Sequence, residues 1–198
     1  MAARPLRDDE LETAAATLAL AFMNDPIFVF MMPAPKAREA WLRWFHLRAL
    51  RECKSVGGAF TVEGPEAGAI GLYPPGAWPP ALRNLIGAIP IPPGLPPHRL
   101  ITRGLRLERR IHALHPAAKH LYVYVLGVHP SKKGRGLGGA LLRHAASLAR
   151  EAGAVSHLET SNPDNLSLYR RFGFEVTSEV TAHGGPPVWV MTTPSHVD

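Results

Sequence analysis

The sequence predicts an α/β fold with a mixed central β-sheet flanked by helices, on three observations. From Leu121 to Gly153 an apolar run of buried-strand length passes through a basic, glycine-rich loop into an amphipathic helix. From Ala154 a strand to Thr160, a short helix over Pro163–Arg171 and a further strand from Gly173 follow. Two antiparallel pairs frame this core, Ala59–Glu63 with Ala69–Tyr73 and Phe174–Thr181 with Val188–Thr193. Parallel strand–helix–strand units are too few for a complete dinucleotide-binding domain.

In chain order, residues 2–7 read as a short strand. Asp8 or Asp9 is placed to cap a helix to about Met23, with Leu11, Ala15, Leu18 and Phe22 on one stripe. Asn24-Asp25-Pro26 breaks that helix, and Ile27 to Met32 is strongly apolar. A second helix, Lys36 to Lys54, carries Trp41, Trp44, Phe45 and Leu50. Gly57-Gly58 opens the first antiparallel pair, and Gly64 to Gly68 is its turn. Prolines dominate Pro74 to Pro97, which reads as a packed loop with one short helix at Ala81–Ile89. Residues 98–115 read as an arginine-rich helix burying Leu100, Leu107, Ile111 and Leu114.

At 198 residues and 46% hydrophobic, the chain can bury a sizeable core as a single domain over 1–198. No apolar run approaches a membrane span, and acidic residues stand where a secretory leader would carry basic ones. Cys53, the one cysteine, excludes an internal disulfide and fits a reducing cytoplasm; it reads as a packing residue. The formal charge of +6 and the arginine helix raise nucleic-acid binding, but Glu108 interrupts the arginines and no zinc-finger spacing or RRM-type aromatic motif accompanies them. A basic surface serves equally to steer a small anion. The ten histidines show no metal-ligand spacing, His112 and His115 making at most a weak surface pair, so no metal is expected.

The loop Ser131 to Gly136 has the chemistry of an anion site. The first turn of the following helix leaves N–H groups unpaired, glycines admit a phosphate to the backbone, and Lys132, Lys133 and Arg135 add charge. A Walker A loop fails for want of a Gly-Lys pair. Gly134, Gly136 and Gly139 match G-x-G-x-x-G, with Glu159 where a ribose-binding acid would sit, but His129 to Lys133 intervene between strand and first glycine. The third option is Lys133-x-x-Gly136-x-Gly138. It resembles the (Gln/Arg)-x-x-Gly-x-(Gly/Ala) pyrophosphate loop of the GNAT superfamily of N-acetyltransferases, with lysine in the first place.

The segment 158–174, LETSNPDNLSLYRRFGF, is similar to a second GNAT motif, N-x-x-x-x-x-L-Y-x-x-x-G-F, through Asn162, Leu168, Tyr169, Gly173 and Phe174. The usual small residue three after the asparagine is Asn165 here. VLGVHP, GRGLG, LETSNPDN and the tail Trp189-Val190-Met191 look like the puromycin N-acetyltransferase type within that superfamily, the middle of the chain being least similar.

This resemblance implies a GNAT fold whose central strands splay to admit the pantetheine arm of acetyl-CoA. Leu126, Gly127 and Val128 would offer backbone groups to that arm, with the Val128 N–H polarising the thioester carbonyl. Lys133, Gly134, Arg135, Gly136, Leu137, Gly138 and Gly139 would bind pyrophosphate, and Asn162 or Asn165 the pantetheine amides. Tyr169 would protonate the leaving thiolate. Glu159 is the candidate base, Tyr124 (with Tyr122) a candidate proton relay, and an ordered water the alternative to both. Asn24 to Met32 would line the acceptor pocket. The implied activity is transfer of an acetyl group from acetyl-CoA to a primary amine of a small molecule, an aminonucleoside or another antibiotic or metabolite. The other readings are a protein N-acetyltransferase and a non-catalytic acyl-CoA sensor. Neither a nucleic-acid nor a membrane partner is expected, and the protein would be a monomer or homodimer.

Overall fold

A computed structural model describes residues 1–78, 106–181 and 184–194. The expected helix at Ala81–Ile89, most of the proline-rich loop and the first half of the arginine-rich helix lie outside them.

Among the described residues, seven strands form one sheet in the order β1-β2-β3-β4-β5-β7-β6. They are β1 (Arg4–Pro5), β2 (Ala59–Thr61), β3 (Gly68–Tyr73), β4 (His120–Val128), β5 (Val155–Thr160), β6 (Glu175–Thr181) and β7 (Pro187–Thr192). All neighbours are antiparallel except β4 and β5. The helices are α1 (Leu11–Phe22), α2 (Pro26–Met31), α3 (Pro35–Ser55), α4 (106–112), α5 (Leu137–Glu151) and α6 (Leu166–Arg170). Among the described residues no helix is long and apolar enough to cross a membrane.

The two sheet faces bury different helices. On one, α5 seats Leu137, Ala140, Leu141, Ala145 and Ala149 against Leu72, Leu121, Val123 and Leu158. Leu148 and Ala152 are only partly buried, because the inward face drifts to Ala149. On the other face α1 and α3 bring Leu11, Ala14, Leu18, Leu50 and Cys53 onto Ala69, Tyr73 and Tyr122. Gly127 lies under α1: a Cβ there would come within 2.8 Å of Leu18 Cδ2 and 2.9 Å of Ala21 Cβ.

The start of α1 departs from the expected cap. Asp8 to Glu10 forms a 3₁₀ turn, and Glu10 reaches back to the Arg7 N–H at 2.9 Å while Arg4 donates to it at 2.6 Å. Asp8 and Asp9 stay exposed because this buried carboxylate satisfies the entry instead.

One irregularity positions everything that follows. Leu72 pairs with Val123 but Gly71 pairs with Val125, so Tyr124 is an extra residue in β4. Such a bulge bends the strand and re-aims its side chains. Tyr122 and Val125 accordingly share the α1–α3 face, while Val123 and Leu126 share the α5 face.

Candidate functional site

β4 and β5 pair only through His120–Tyr122 against Val155–His157. Past that point β4 runs to Val128 and β5 to Thr160 with no pairing between them. The sheet is splayed in its middle, starting at the bulge.

Hydrogen-bond alternation tells which backbone groups face the gap. His129 N–H donates to Ala67 O at 2.9 Å, in register with the β3–β4 ladder. In antiparallel pairs the bonded residues alternate, so Gly127 and Val125 also turn their polar groups to β3, and Leu126 and Val128 turn theirs to the gap. Leu126 and Val128 thus turn their backbone groups away from β3. The polar groups of Gly127 are used within the sheet, and its lack of a side chain serves the approach of α1.

A cavity of about 170 Å³ occupies the splay. β4 contributes Val123 to Leu126, β5 contributes Leu158 to Thr160, and Ser161, Asn165 and Tyr169 follow from the next turn and α6. Phe22, Asp25, Ile27 and Phe28 close one side, and Phe45 and His46 of α3 another. The structure thus brings together Tyr169, Glu159, Tyr124, Leu126 and Asn165 from the sequence-derived set, and it places part of the Asn24–Met32 segment at the wall as expected.

Tyr169 is buried, its ring edge-on to Phe174 at 5.9 Å. Burial, and then the charge of Asp25, hold its phenol above the ordinary value near 10, so it keeps its proton. Glu159 accepts from the Tyr122 hydroxyl at 2.8 Å through Oε2 and contacts His157 Nε2 at 3.0 Å through Oε1. The tyrosine bonded to Glu159 is thus Tyr122; Tyr124, the expected relay, lies beside it with ring centroids 5.6 Å apart and lines the cavity. Burial raises both phenols.

The two asparagines part company. Asn162 uses Oδ1 to accept from Asp164 N–H at 3.0 Å, a cap for its own turn. Asn165 lies in the cavity wall and reaches Thr160 Oγ1 at 3.4 Å.

At the far end of β4, Pro130–Lys132 forms a 3₁₀ turn and Gly136 enters α5 with φ +80°, a left-handed conformation open to glycine. No side chain caps α5, so the first-turn N–H groups of Leu137, Gly138 and Gly139 carry no such partner. Arg135 is paired with Glu63 at 3.0 Å and Lys132 with Glu66 at 3.9 Å. Lys133 has no ion pair among the described residues. Gly139 serves packing: a Cβ there would meet the Phe172 ring at 3.2 Å.

Three groups were missed in the sequence. Asp25 caps α2 through Ile27 N–H at 3.2 Å, accepts from Ser161 Oγ at 2.5 Å, and lines the cavity. Burial raises its pKa against the lowering effect of those bonds. Its place before Pro26 was a legible cap signal; its depth was not. His46 Nδ1 donates to Leu42 O, 2.8 Å away, and its Nε2 has no partner among the described residues. Burial pushes its pKa down to about 3, so the ring is neutral. His115 is no surface group: it stacks on Trp78 with ring centroids 5.4 Å apart and sits 3.5 Å from Glu159 Oε1.

A splayed parallel pair thus opens between an uncapped glycine helix start and a buried tyrosine. The sequence profile of the Acetyltransferase (GNAT) family matches residues 72–174, over half of the chain. The chain belongs to the GNAT acetyltransferase family, whose enzymes use acetyl-CoA. It is 41% identical over 69 residues to the mycothiol acetyltransferase of Mycolicibacterium vanbaalenii, covering 31% of this chain and 23% of that protein. It is 46% identical over 55 residues to the N-alpha-acetyltransferase RimI of Mycobacterium tuberculosis, covering 27% and 34%. These matches span about a third or less of those relatives. Among solved structures, the chain resembles a histone acetyltransferase HPA2 and related acetyltransferase from Corynebacterium glutamicum, with TM-score 0.69 and 24% identity over 100% of this chain and 97% of that one. An agmatine N-acetyltransferase in apo form gives TM-score 0.68 and 20% identity over 96% and 97%.

Proposed function

We propose that the protein, as a single domain, transfers the acetyl group of acetyl-CoA to a primary amine of a small molecule by direct attack, without a covalent enzyme intermediate. The observation that carries this is the convergence of a protonated buried tyrosine and two carboxylates, Glu159 and Asp25, on one cavity inside the splayed sheet.

Acyl transfer to an amine needs a neutral nucleophile, a donor for the developing oxyanion and a proton for the leaving thiolate. The thioester supplies the activated acetyl group. The uncapped first turn of α5, with Lys133, binds pyrophosphate. Leu126 and Val128 offer the pantetheine arm the backbone groups that β5 leaves unpaired, and the Val128 N–H donates to the thioester oxygen. Asn165, which lines the cavity while Asn162 caps its own turn, meets the arm in this reading. Glu159, steadied by Tyr122, takes the ammonium proton so that the amine attacks. As the C–S bond breaks, Tyr169 gives its proton to sulfur, and the proton that the cationic nitrogen of the tetrahedral adduct sheds in becoming the amide restores the phenol.

The acceptor is a small amine because the cavity wall opposite the strands is aromatic, through Phe22, Phe28 and Phe45, with Asp25 as a buried anion beside them. Aromatic rings around a carboxylate suit a cationic amine carried on a flat, apolar body. That chemistry agrees with the puromycin N-acetyltransferase type and makes an aminonucleoside the first acceptor to try. The likeness to an N-alpha-acetyltransferase favours a peptide N-terminus as the second reading.

The test is thiol release from acetyl-CoA with puromycin, other small amines and N-terminal peptides, alongside acetyl-CoA binding by calorimetry. Amine-dependent release with peptides inert supports the reading. Release with peptides alone favours the second reading. Acetyl-CoA binding without turnover on any amine favours a sensor, and absence of acetyl-CoA binding refutes the assignment.

A further inference from the structure

On the side of Glu159 occupied by imidazoles, three side chains converge. His157 stands two residues before Glu159 on β5, so the strand's alternation puts both on one face. His115 reaches them from the segment after α4. One atom from each of the three lies within 4.8 Å of the others. His157 Nε2 is 3.0 Å and His115 Nε2 3.5 Å from Glu159 Oε1. Their side chains are 0%, 8% and 11% exposed in the order His157, His115, Glu159.

The hydrogen bonds around this group admit a tautomer that turns imidazole lone pairs toward Glu159. Ala118 O only accepts, so His120 Nδ1, 3.0 Å away, carries a proton. In the tautomer in which His120 Nε2 accepts, His115 Nδ1, 3.2 Å from it, donates. His115 Nε2 is left as a bare lone pair aimed at a carboxylate oxygen. His157 Nδ1 faces the Thr192 hydroxyl at 3.0 Å, a partner that can donate or accept, so its Nε2 is free to present a lone pair as well.

Lone pairs of two imidazoles and a carboxylate turned on one point call for a cation. We propose that His115 Nε2, His157 Nε2 and Glu159 Oε1 form a binding site for a zinc ion. Ligand atoms about 2.0–2.1 Å from a tetrahedral zinc stand about 3.3 Å apart, which the two contacts to Oε1 bracket. Each ligand also has an outer partner: Thr192 for His157, His120 for His115 and the Tyr122 hydroxyl for the other Glu159 oxygen. Such partners orient the donor atoms and fix their protonation. Three protein ligands leave a fourth position to water, the pattern of an exchangeable ion rather than a sealed structural one.

The site goes beyond the transferase reading and does not need it. Where it touches that reading, zinc on Oε1 takes the oxygen away from proton transfer, so zinc inhibits and a chelator restores activity; this effect alone rests on Glu159 as base.

The experiment is titration of metal-free full-length protein with zinc against a chromogenic chelator, with cobalt as a visible probe of four-coordinate ligation. One equivalent of zinc is expected, with affinity weakened more than about tenfold in His115→Gln and in Glu159→Gln. Both variants are checked for wild-type circular dichroism, and Thr192→Val, which removes only an outer partner, provides a milder third case. No zinc uptake at micromolar concentration overturns the proposal, as does uptake unchanged in both ligand variants. The readout is binding, so a protein that takes up zinc but transfers no acetyl group refutes the enzymatic reading and leaves the site standing.

Discussion

Replacing Tyr169 by phenylalanine removes one hydroxyl and nothing else. The ring keeps its edge-on contact with Phe174 at 5.9 Å, and the hydroxyl has no hydrogen-bond partner among the described residues. Folding stability should therefore change by less than about 1 kcal/mol. The catalytic loss follows from the leaving group. General acids contribute about 10²–10⁴-fold, and a thiol with an ordinary pKa near 8.5 is a good leaving group, which puts the loss near the low end. A fall in kcat of about 10²-fold is about 2.7 kcal/mol of transition-state stabilisation. The assay is thiol release at saturating acetyl-CoA, with the acetyl-CoA dissociation constant measured separately. Because burial and Asp25 keep the phenol protonated above its ordinary value, the wild-type kcat should show no decline from Tyr169 up to about pH 10. An unchanged kcat in the folded variant would refute Tyr169 as the acid, and a loss confined to acetyl-CoA binding would make it a wall residue.

Gly127→Ala sets a methyl 2.8 Å from Leu18 and 2.9 Å from Ala21, so urea unfolding should show about 1–3 kcal/mol of destabilisation. Asp25→Asn keeps an oxygen for Ser161 and Ile27 but removes the anion, so KM for a cationic amine should rise while acetyl-CoA affinity holds. Glu10 governs the acid limb of stability. Its bond from Arg4, then that from Arg7 N–H, lower its pKa to about 2 from an unfolded value near 4.5, so its contribution is present above the unfolded value and is lost as pH falls through the folded one. Glu10→Gln should be less stable than wild type at neutral pH, with the difference vanishing near pH 2 in acid titrations followed by circular dichroism.

What the sequence revealed and what it hid have separate physical origins. Period and punctuation located β4, α5 and β5, because an apolar run, a glycine loop and a helical stripe are local signals. The β4 bulge was hidden: nothing in YVYVLG marks Tyr124 as the residue without a partner, since register is settled by β3 across the ladder. Asn162 and Asn165 look alike in the sequence because each is a plausible turn residue; in the structure Asn162 accepts from Asp164 N–H and Asn165 lines the cavity. His157 and Glu159 were legible as neighbours on one strand face, but His115 joins them only through the tertiary path of the segment after α4. Asp25 was visible as a helix break and only the packed structure shows it as a buried charge.

The interrupted ladder between β4 and β5 has a mechanical consequence. Two half-sheets, β1 to β4 and β5 to β7, are joined edge to edge by three residue pairs. The protein thus carries two open strand edges in its interior, where the N–H groups of Leu126 and Val128 stay available instead of being locked into a neighbour. A ligand that bonds to both edges splices the halves together. The amide protons of Leu126 and Val128 should exchange quickly with solvent in the free protein and slow sharply on cofactor addition, a readout of stiffening across the whole sheet.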